Sequence, residues 1–184
     1  EQNLDVYEII RIANQHPRVN ILSPGPGVGG HCIPIDPWFL VGDFPSLTHV
    51  IKAAREVNDS MPEYVLSRVS EVMNECGIED ISRVGFYGLT YKADVDDVRD
   101  SPTLQMLSSL KRHLCGNRVK VYDPMVEKDI VPNQYHDLDI FLNAVDLVVI
   151  LVDHREIKEN MNKLEGKIIF DTRHICSMEG VYHL

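Results

Sequence analysis

Long apolar runs, an excess of positive charge and paired cysteines are all missing from this 184-residue sequence. The longest apolar stretch, residues 147–152, is far shorter than the roughly 20 residues a membrane-spanning helix needs. No secretory leader pattern stands out at the start. A net charge of −10 argues against a nucleic-acid binder, which would show a basic face. An anionic ligand would need locally placed Arg and Lys against that acidic background. The four cysteines, Cys32, Cys76, Cys115 and Cys176, lie far apart, with no C-x-x-C pair and no zinc-finger histidine spacing. They read as reduced thiols, and the expected compartment is cytoplasmic. Internal repeats and low-complexity segments are also lacking. What is left, 44% hydrophobic and 25% charged, is ordinary for a globular chain long enough for one domain or one and a half. The first residue is Glu1 rather than Met, and helical periodicity is already running by Leu4. A piece of a longer protein is therefore expected.

One stretch is dense where the rest is plain. Residues 23–38 hold four glycines, four prolines and one cysteine in sixteen positions. Glycine lets a ligand approach the main chain, and proline fixes the turns between. A loop so stiff and so bare of side chains positions something, and the nucleophile it carries is Cys32. An inert buried thiol is the alternative, since free cysteine is often just a small hydrophobe.

Before this loop, Leu4, Tyr7 and Ile10 recur at helical spacing, and Pro17 stops the helix. After it, Asp36 reads as an N-cap with Pro37 at the first helical position, and Trp38, Phe39 and Leu40 are expected to anchor a short helix in the core. Ser46 is expected to cap a longer helix with Leu47, Val50, Ile51, Ala54 and Val57 on its apolar face. Beyond Pro62, Tyr64, Val65, Val69, Val72 and Met73 carry the stripe to Gly77, as one kinked helix or two. About 30 residues of helix span roughly 45 Å, the length of a spine between domains.

After Gly77 the period changes. Strands are expected at 83–89, 118–122, 147–152 and 167–171, and helices at 102–114, 138–144 and 156–164. That alternation means βαβ units. The fold class is α/β, with a helical segment over residues 1–78 followed by a Rossmann-like parallel-sheet domain over 79–184. Ligands of open parallel sheets sit beyond the carboxyl ends of the strands. Three such ends carry charged residues: Tyr91 with Lys92, Asp123, and Asp171 to Arg173. The first strand runs Gly85-Phe-Tyr-Gly-Leu-Thr90, without the G-x-G-x-x-G fingerprint, so this sheet is expected to bind something other than NAD.

At Gly27-Val-Gly-Gly-His-Cys-Ile-Pro-Ile-Asp36 the chain resembles the UDP-glucose/GDP-mannose 6-dehydrogenase family, at the loop carrying its catalytic cysteine. A second motif, Tyr87-Gly-Leu-Thr-Tyr-Lys-Ala-Asp-Val-Asp-Asp-Val-Arg-Asp-Ser-Pro102, is similar to that family's nucleotide-sugar signature. The order and separation also match, so the resemblance covers essentially the whole chain. It implies a central helical dimerisation segment over 1–78, a UDP-sugar-binding domain over 79–184, and a homodimer through the central helices. Within the family, His16-Pro-Arg18, the cysteine loop and Asp36-Pro-Trp-Phe39 are most similar to UDP-N-acetyl-D-mannosamine dehydrogenases. UDP-N-acetylglucosamine 6-dehydrogenases share much of the loop and are the runner-up, with UDP-glucose a further alternative.

The resemblance implies two successive NAD-dependent oxidations at the sugar C6, with Cys32 as nucleophile and Asp36 handling a proton. His31 is the adjacent base, but neighbouring loop residues commonly point apart. Substrate contacts are implied for His16, for Arg18 (from the partner subunit of a dimer), for Ser23, Gly25, Gly27 and Gly29 along the loop, for Tyr91 and Lys92, and for Arg173. Arg99 is implied to touch NAD. The family's glycine-fingerprint domain and its catalytic lysine and asparagine are not in these 184 residues, so activity of this chain alone is not expected. A nucleotide-sugar-binding and dimerising module without catalysis is the alternative class.

Overall fold

The computed structural model describes residues 4–113 and 118–184. Cys115, and Leu114 at the end of the expected helix over 102–114, lie outside the described residues. The helical part comprises α1 (Val6–Ala13), α2 (Asp36–Asp43) and α3 (His49–Glu75). The rest alternates: β1 (Val84–Tyr87), α4 (Pro102–His113), β2 (Lys120–Tyr122), β3 (Gln134–Tyr135), α5 (Leu138–Ala144), β4 (Leu147–Ile150), α6 (Arg155–Glu159), β5 (Ile168–Asp171) and β6 (Tyr182–His183). The six strands form one all-parallel sheet in the order β3-β2-β1-β4-β5-β6. The α/β architecture read from the alternation is what the chain adopts. The two-residue strands β3 and β6 escaped the sequence because two residues carry no period.

Both faces of the sheet are covered, which is why β4 is apolar throughout instead of alternating with polar residues. Val84, Phe86, Leu147 and Val149 point to one side, where Val65, Val69 and Val72 of α3 and Met106, Leu107 and Leu110 of α4 pack on them. Tyr87, Val148 and Ile150 point to the other, against Leu138, Phe141 and Leu142 of α5 and Ile157 of α6. Gly85 faces that second side, and a Cβ there would come within 2.6 Å of the Phe141 ring.

Pro62 is accommodated inside α3, which runs unbroken for 27 residues, about 40 Å. A proline has no N–H for the carbonyl four residues back. Here that carbonyl belongs to Asn58, a residue the glycine loop uses. The second half of α3 is seated on the sheet, whereas Leu47, Val50 and Val57 in and before the first half are 82%, 83% and 64% exposed.

Three local expectations are corrected. Asp36 is the first helical residue, not the cap; Ile35 holds the cap position without a side-chain bond. The Asp36 N–H instead donates to the Cys32 carbonyl at 2.8 Å, so the α2 start is set by the turn after the cysteine. Trp38, Phe39 and Leu40 are 38%, 68% and 49% exposed: α2 packs on α3, and among the described residues its outer face is left open. Ser46 lies in the turn before α3; Thr48 takes the cap position and its hydroxyl donates to the Phe44 carbonyl at 2.8 Å.

Gly85→Ala is expected to destabilise the fold by about 1–3 kcal/mol, as overpacking of a closed core does. Gly42→Ala, where a Cβ would meet nothing within 4 Å, should be nearly silent. Urea unfolding of both variants checks the pair, and equal midpoints would contradict the packing described here.

Candidate functional site

The glycine loop lies across the carboxyl ends of β1, β4 and β5. Three contacts fasten it. The Val28 N–H donates to Asn58 Oδ1 on α3 at 2.9 Å, and the Gly30 N–H donates to the Arg99 carbonyl at 2.9 Å. Gly29 lies so close to the Tyr91–Asp100 segment that a Cβ would sit 2.4 Å from the Asp100 carbonyl oxygen and 2.9 Å from Tyr91 Cβ. Backbone cannot retreat from such a clash, so that position must be glycine. Gly30 adopts φ +105°, which side-chain-bearing residues rarely take, and rests on the Tyr91 ring.

Under the loop is a cleft of about 260 Å³, lined by Pro26 and Gly27 from the loop, by Tyr91 and Lys92 after β1, and by Asp153 and Arg173 after β4 and β5. Arg173 reaches under Gly25, where an added Cβ would fall 2.3 Å from its Nη1, and its Nη2 lies 3.5 Å from Asp153. Lys92 is exposed and lines the same cleft. Two cations thus converge on a space whose roof is bare backbone. That arrangement suits a diphosphate, since guanidinium and ammonium groups make charge-assisted bonds to phosphate oxygens.

Acids at the neighbouring strand ends face inward. Asp123 after β2 accepts from the Leu89, Thr90 and Met125 N–H groups at 2.6, 3.0 and 2.8 Å and lies 3.2 Å from His154 Nε2. Burial pushes its carboxyl up, but His154 and these N–H donors outweigh that and hold it below the ordinary carboxylate range. Asp171 accepts from the N–H groups of Arg173, Ile175 and Cys176 at 2.8, 2.6 and 2.7 Å. Of the strand ends expected to meet a ligand, Asp123 is wholly engaged by its own chain.

Cys32 sits on the exposed shoulder of the loop. Its Sγ is 3.5 Å from His31 Nδ1, so the two neighbours converge instead of pointing apart. Arg99 pairs with Asp97 at 2.6 Å; that carboxylate holds the guanidinium above its usual range, with smaller contributions from Tyr91 and Cys32. Positive charge therefore lies within electrostatic reach of the thiol. Asp36 is exposed, four residues on and tied to Cys32 through backbone. His16 and Arg18 are exposed in the turn after α1, the Arg18 N–H donating to His16 Nδ1 at 3.2 Å. Ser23 is exposed at the start of the loop.

The structure thus brings Gly27, Tyr91, Lys92 and Arg173 to one cleft, with Gly25 over Arg173 and Gly29 against Tyr91, and it places Cys32 beside His31 and within electrostatic range of Arg99. Among the described residues, no side-chain contact joins Asp36, His16 or Arg18 to that cleft. Sequence reasoning missed Asp153, His154 and Asn58. The first two follow β4 directly, and the strand-end rule applied to residues 147–152 would have found them. Asn58 has no signal in a helical pattern; only the tertiary approach of the loop reveals it.

Residues 85–178 match the UDP-glucose/GDP-mannose dehydrogenase family, UDP binding domain, and residues 1–60 match that family's central domain. A UDP-N-acetyl-D-mannosamine dehydrogenase of Methanocaldococcus jannaschii is 42% identical over 187 residues, covering 97% of this chain and 42% of that protein. An NDP-N-acetyl-D-galactosaminuronic acid dehydrogenase of Ralstonia nicotianae is 37% identical, covering 98% of this chain and 43% of its own length. Among solved structures, UDP-D-ManNAc dehydrogenase from Pyrococcus horikoshii superposes with a TM-score of 0.81 at 34% identity, covering 98% of this chain and 43% of that one. This chain therefore spans less than half the length of these relatives.

The described thiols should differ sharply in reactivity. Burial, reinforced by Asp171, pushes the Cys176 thiol up to about 12, whereas Cys32 is exposed. Iodoacetamide at about pH 8 is expected to label Cys32 and spare Cys176 in the folded protein, and to label both in denaturant. Peptide mass spectrometry reads the outcome; equal labelling of the two in the folded state would refute the burial argument.

Proposed function

The chain belongs to the UDP-glucose/GDP-mannose dehydrogenase family, and from that premise we propose that it forms the nucleotide-sugar and thiol half of an NAD-dependent UDP-sugar 6-dehydrogenase. The substrate we assign is UDP-N-acetyl-D-mannosamine, oxidised at C6 to the uronate in two two-electron steps. One observation carries the reading: a glycine loop bearing an exposed cysteine closes over a cleft into which Lys92 and Arg173 converge.

In this assignment Lys92 and Arg173 neutralise the diphosphate, and Tyr91 flanks the nucleotide. The backbone of Ser23, Gly25, Gly27 and Gly29 lies along the substrate, and His16 and Arg18 extend the contacts, Arg18 from a partner subunit. The Cys32 thiolate attacks the carbon of a C6 aldehyde, and the former carbonyl oxygen takes a proton to complete a thiohemiacetal. At the later thioester stage water attacks the same carbon and the thiolate leaves. A thiolate suits both moments, because it is a better nucleophile and a better leaving group at neutral pH than a serine hydroxyl. Asp36, one turn from Cys32, is assigned to proton handling.

NAD, when bound to such an enzyme, accepts one hydride per molecule, so two NAD are reduced for each uronate formed. The sheet of this chain does not fit it. The turn after β1 lacks the three-glycine fingerprint, and Asp123, standing where an acid would meet a dinucleotide ribose, is consumed by Leu89, Thr90, Met125 and His154. Apart from Arg99, the dinucleotide is assigned to the part of the relatives' length that this chain does not span. Activity of the 184 residues alone is accordingly not proposed.

The proposed division is 1–78 as central helical segment and 79–184 as UDP-sugar domain, joined by α3. The exposed apolar residues Phe39, Phe44, Leu47 and Val50 are proposed to lie in a homodimer interface. Light scattering should report a dimer, and Val50→Asp should shift it to monomer; a protein that is monomeric before mutation contradicts the assignment.

The full-length protein decides the substrate. Offered UDP-N-acetyl-D-mannosamine, UDP-N-acetylglucosamine and UDP-glucose, it should turn over the first with the highest kcat/KM, and Cys32→Ser should make no uronate. Lys92→Ala should weaken UDP binding about tenfold or more in calorimetry, as loss of a charge-assisted contact does. Normal uronate output from Cys32→Ser would sink the thiol mechanism, and a preference for another sugar would reassign the substrate.

A further inference from the structure

His154 is fully buried, at 0% exposure, yet every polar contact it makes goes to the segment that carries Tyr91 and Lys92 or to the acid beneath it. Its Nδ1 accepts the Asp94 backbone N–H at 3.0 Å. A ring nitrogen that accepts has no proton, so the hydrogen of the neutral ring is on Nε2. That nitrogen lies 3.2 Å from Asp123 Oδ2 and 3.3 Å from Thr90 Oγ1. Thr90 Oγ1 in turn donates to the Lys92 carbonyl at 2.9 Å. The two ends of the segment are therefore pinned to opposite edges of one imidazole, Thr90 at Nε2 and Asp94 at Nδ1, with Lys92 carried between them.

Asp94 also adopts φ +58°, which a non-glycine residue holds only when its surroundings impose it, and its Oδ1 accepts the Arg155 N–H at 3.0 Å. The segment thus turns sharply at the residue whose N–H the imidazole holds. From this geometry we propose that His154 is a positioning residue for the nucleotide-sugar site: its Nδ1, through the Asp94 N–H, fixes the turn that presents Tyr91 and Lys92 to the cleft. The inference rests on the assignment of that cleft to a UDP-sugar. It goes beyond that assignment by naming a buried group, distant in sequence and out of substrate contact, that sets the affinity.

Two substitutions separate positioning from mere burial. His154→Asn places a carbonyl oxygen where Nδ1 was and keeps the Asp94 bond while losing the one to Asp123. His154→Gln places an amide N–H where Nε2 was and keeps the Asp123 bond while losing the one to Asp94. In the full-length protein without ligand, hydrogen exchange at the Asp94 amide should be about tenfold faster in His154→Gln and near wild type in His154→Asn. UDP affinity by calorimetry should follow the same order, falling about five- to tenfold for Gln and recovering for Asn. A purely structural histidine would give both variants the same exchange and the same affinity, and that result overturns the proposal. If both variants unfold, the ring nitrogen shifts of wild-type His154 still decide, because an Nδ1–H tautomer excludes the Asp94 bond. Failure of wild-type protein to bind UDP would strike the function assignment instead, and the exchange result would stand apart from it.

Discussion

Backbone-to-backbone contact between the glycine loop and the turn after β1 is the constraint on which the site depends. At Gly29 the two chains are so close that no Cβ fits between Asp100 and Tyr91. The Gly30 N–H then closes onto the Arg99 carbonyl. Once those contacts form, the position of Cys32, two residues on, follows from the chain, and so does that of Arg99 across from it. The docking also has a counterpart on α3. Pro62 gives the Asn58 carbonyl no helical partner, and the Asn58 side chain turns to the loop's Val28. A proline that reads in sequence as a helix interruption lies, in the fold, next to where the loop comes down on the helix.

Charge at the strand ends is sorted by direction. The chain carries 28 acidic against 18 basic side chains, yet the cleft collects Lys92 and Arg173 against Asp153. Its acidic neighbours are turned inward and saturated with backbone N–H donors, as Asp123 and Asp171 show. A carboxylate so engaged shapes the turn that follows its strand, and its own field is largely answered by those dipoles. Asp153 is the exception, shared between Lys158 at 2.7 Å and Arg173 at 3.5 Å. It orients Arg173 at some cost to that cation's net field. Global charge is thus a poor guide to this site, because what a ligand meets is the local balance.

Much of the fold was legible because two periods are cleanly separated along the chain. The four main strands and the helix Leu138–Ala144 lie where apolar runs and helical spacing put them. Legibility failed at ends and surfaces. Asp36 has the composition of a cap but not the role, since the Cys32 carbonyl already anchors that turn. Trp38, Phe39 and Leu40 look like core residues because hydrophobicity says that a side chain seeks cover, not where cover exists. The glycine loop was legible through its density of glycine and proline, and Lys92 and Arg173 through strand ends and resemblance. Asn58 was not, because it acts through a contact 30 residues away in sequence, and the strand-end position of His154 says nothing of its bond to Asp94, 60 residues away.

The stripe along α3 shows how a single pattern can serve two purposes. At 3.6 residues per turn, Val50, Ala54, Val57, Val65, Val69 and Val72 fall within one arc of about 120°. Periodicity therefore reads as one apolar face on one helix. The sheet covers only the second part, where Val65 and Val72 are fully buried while Val50 and Val57 remain 83% and 64% exposed. Burying an aliphatic side chain is worth about 1.5–3 kcal/mol, so the second part secures the helix to the sheet without help from the first. The first part is thereby free to meet another apolar surface without loosening the cleft, because α3 holds the loop through Asn58, next to the junction of the two halves. The proposed association and the seating of α3 on the sheet can thus share one helix, each with its own length of the same stripe.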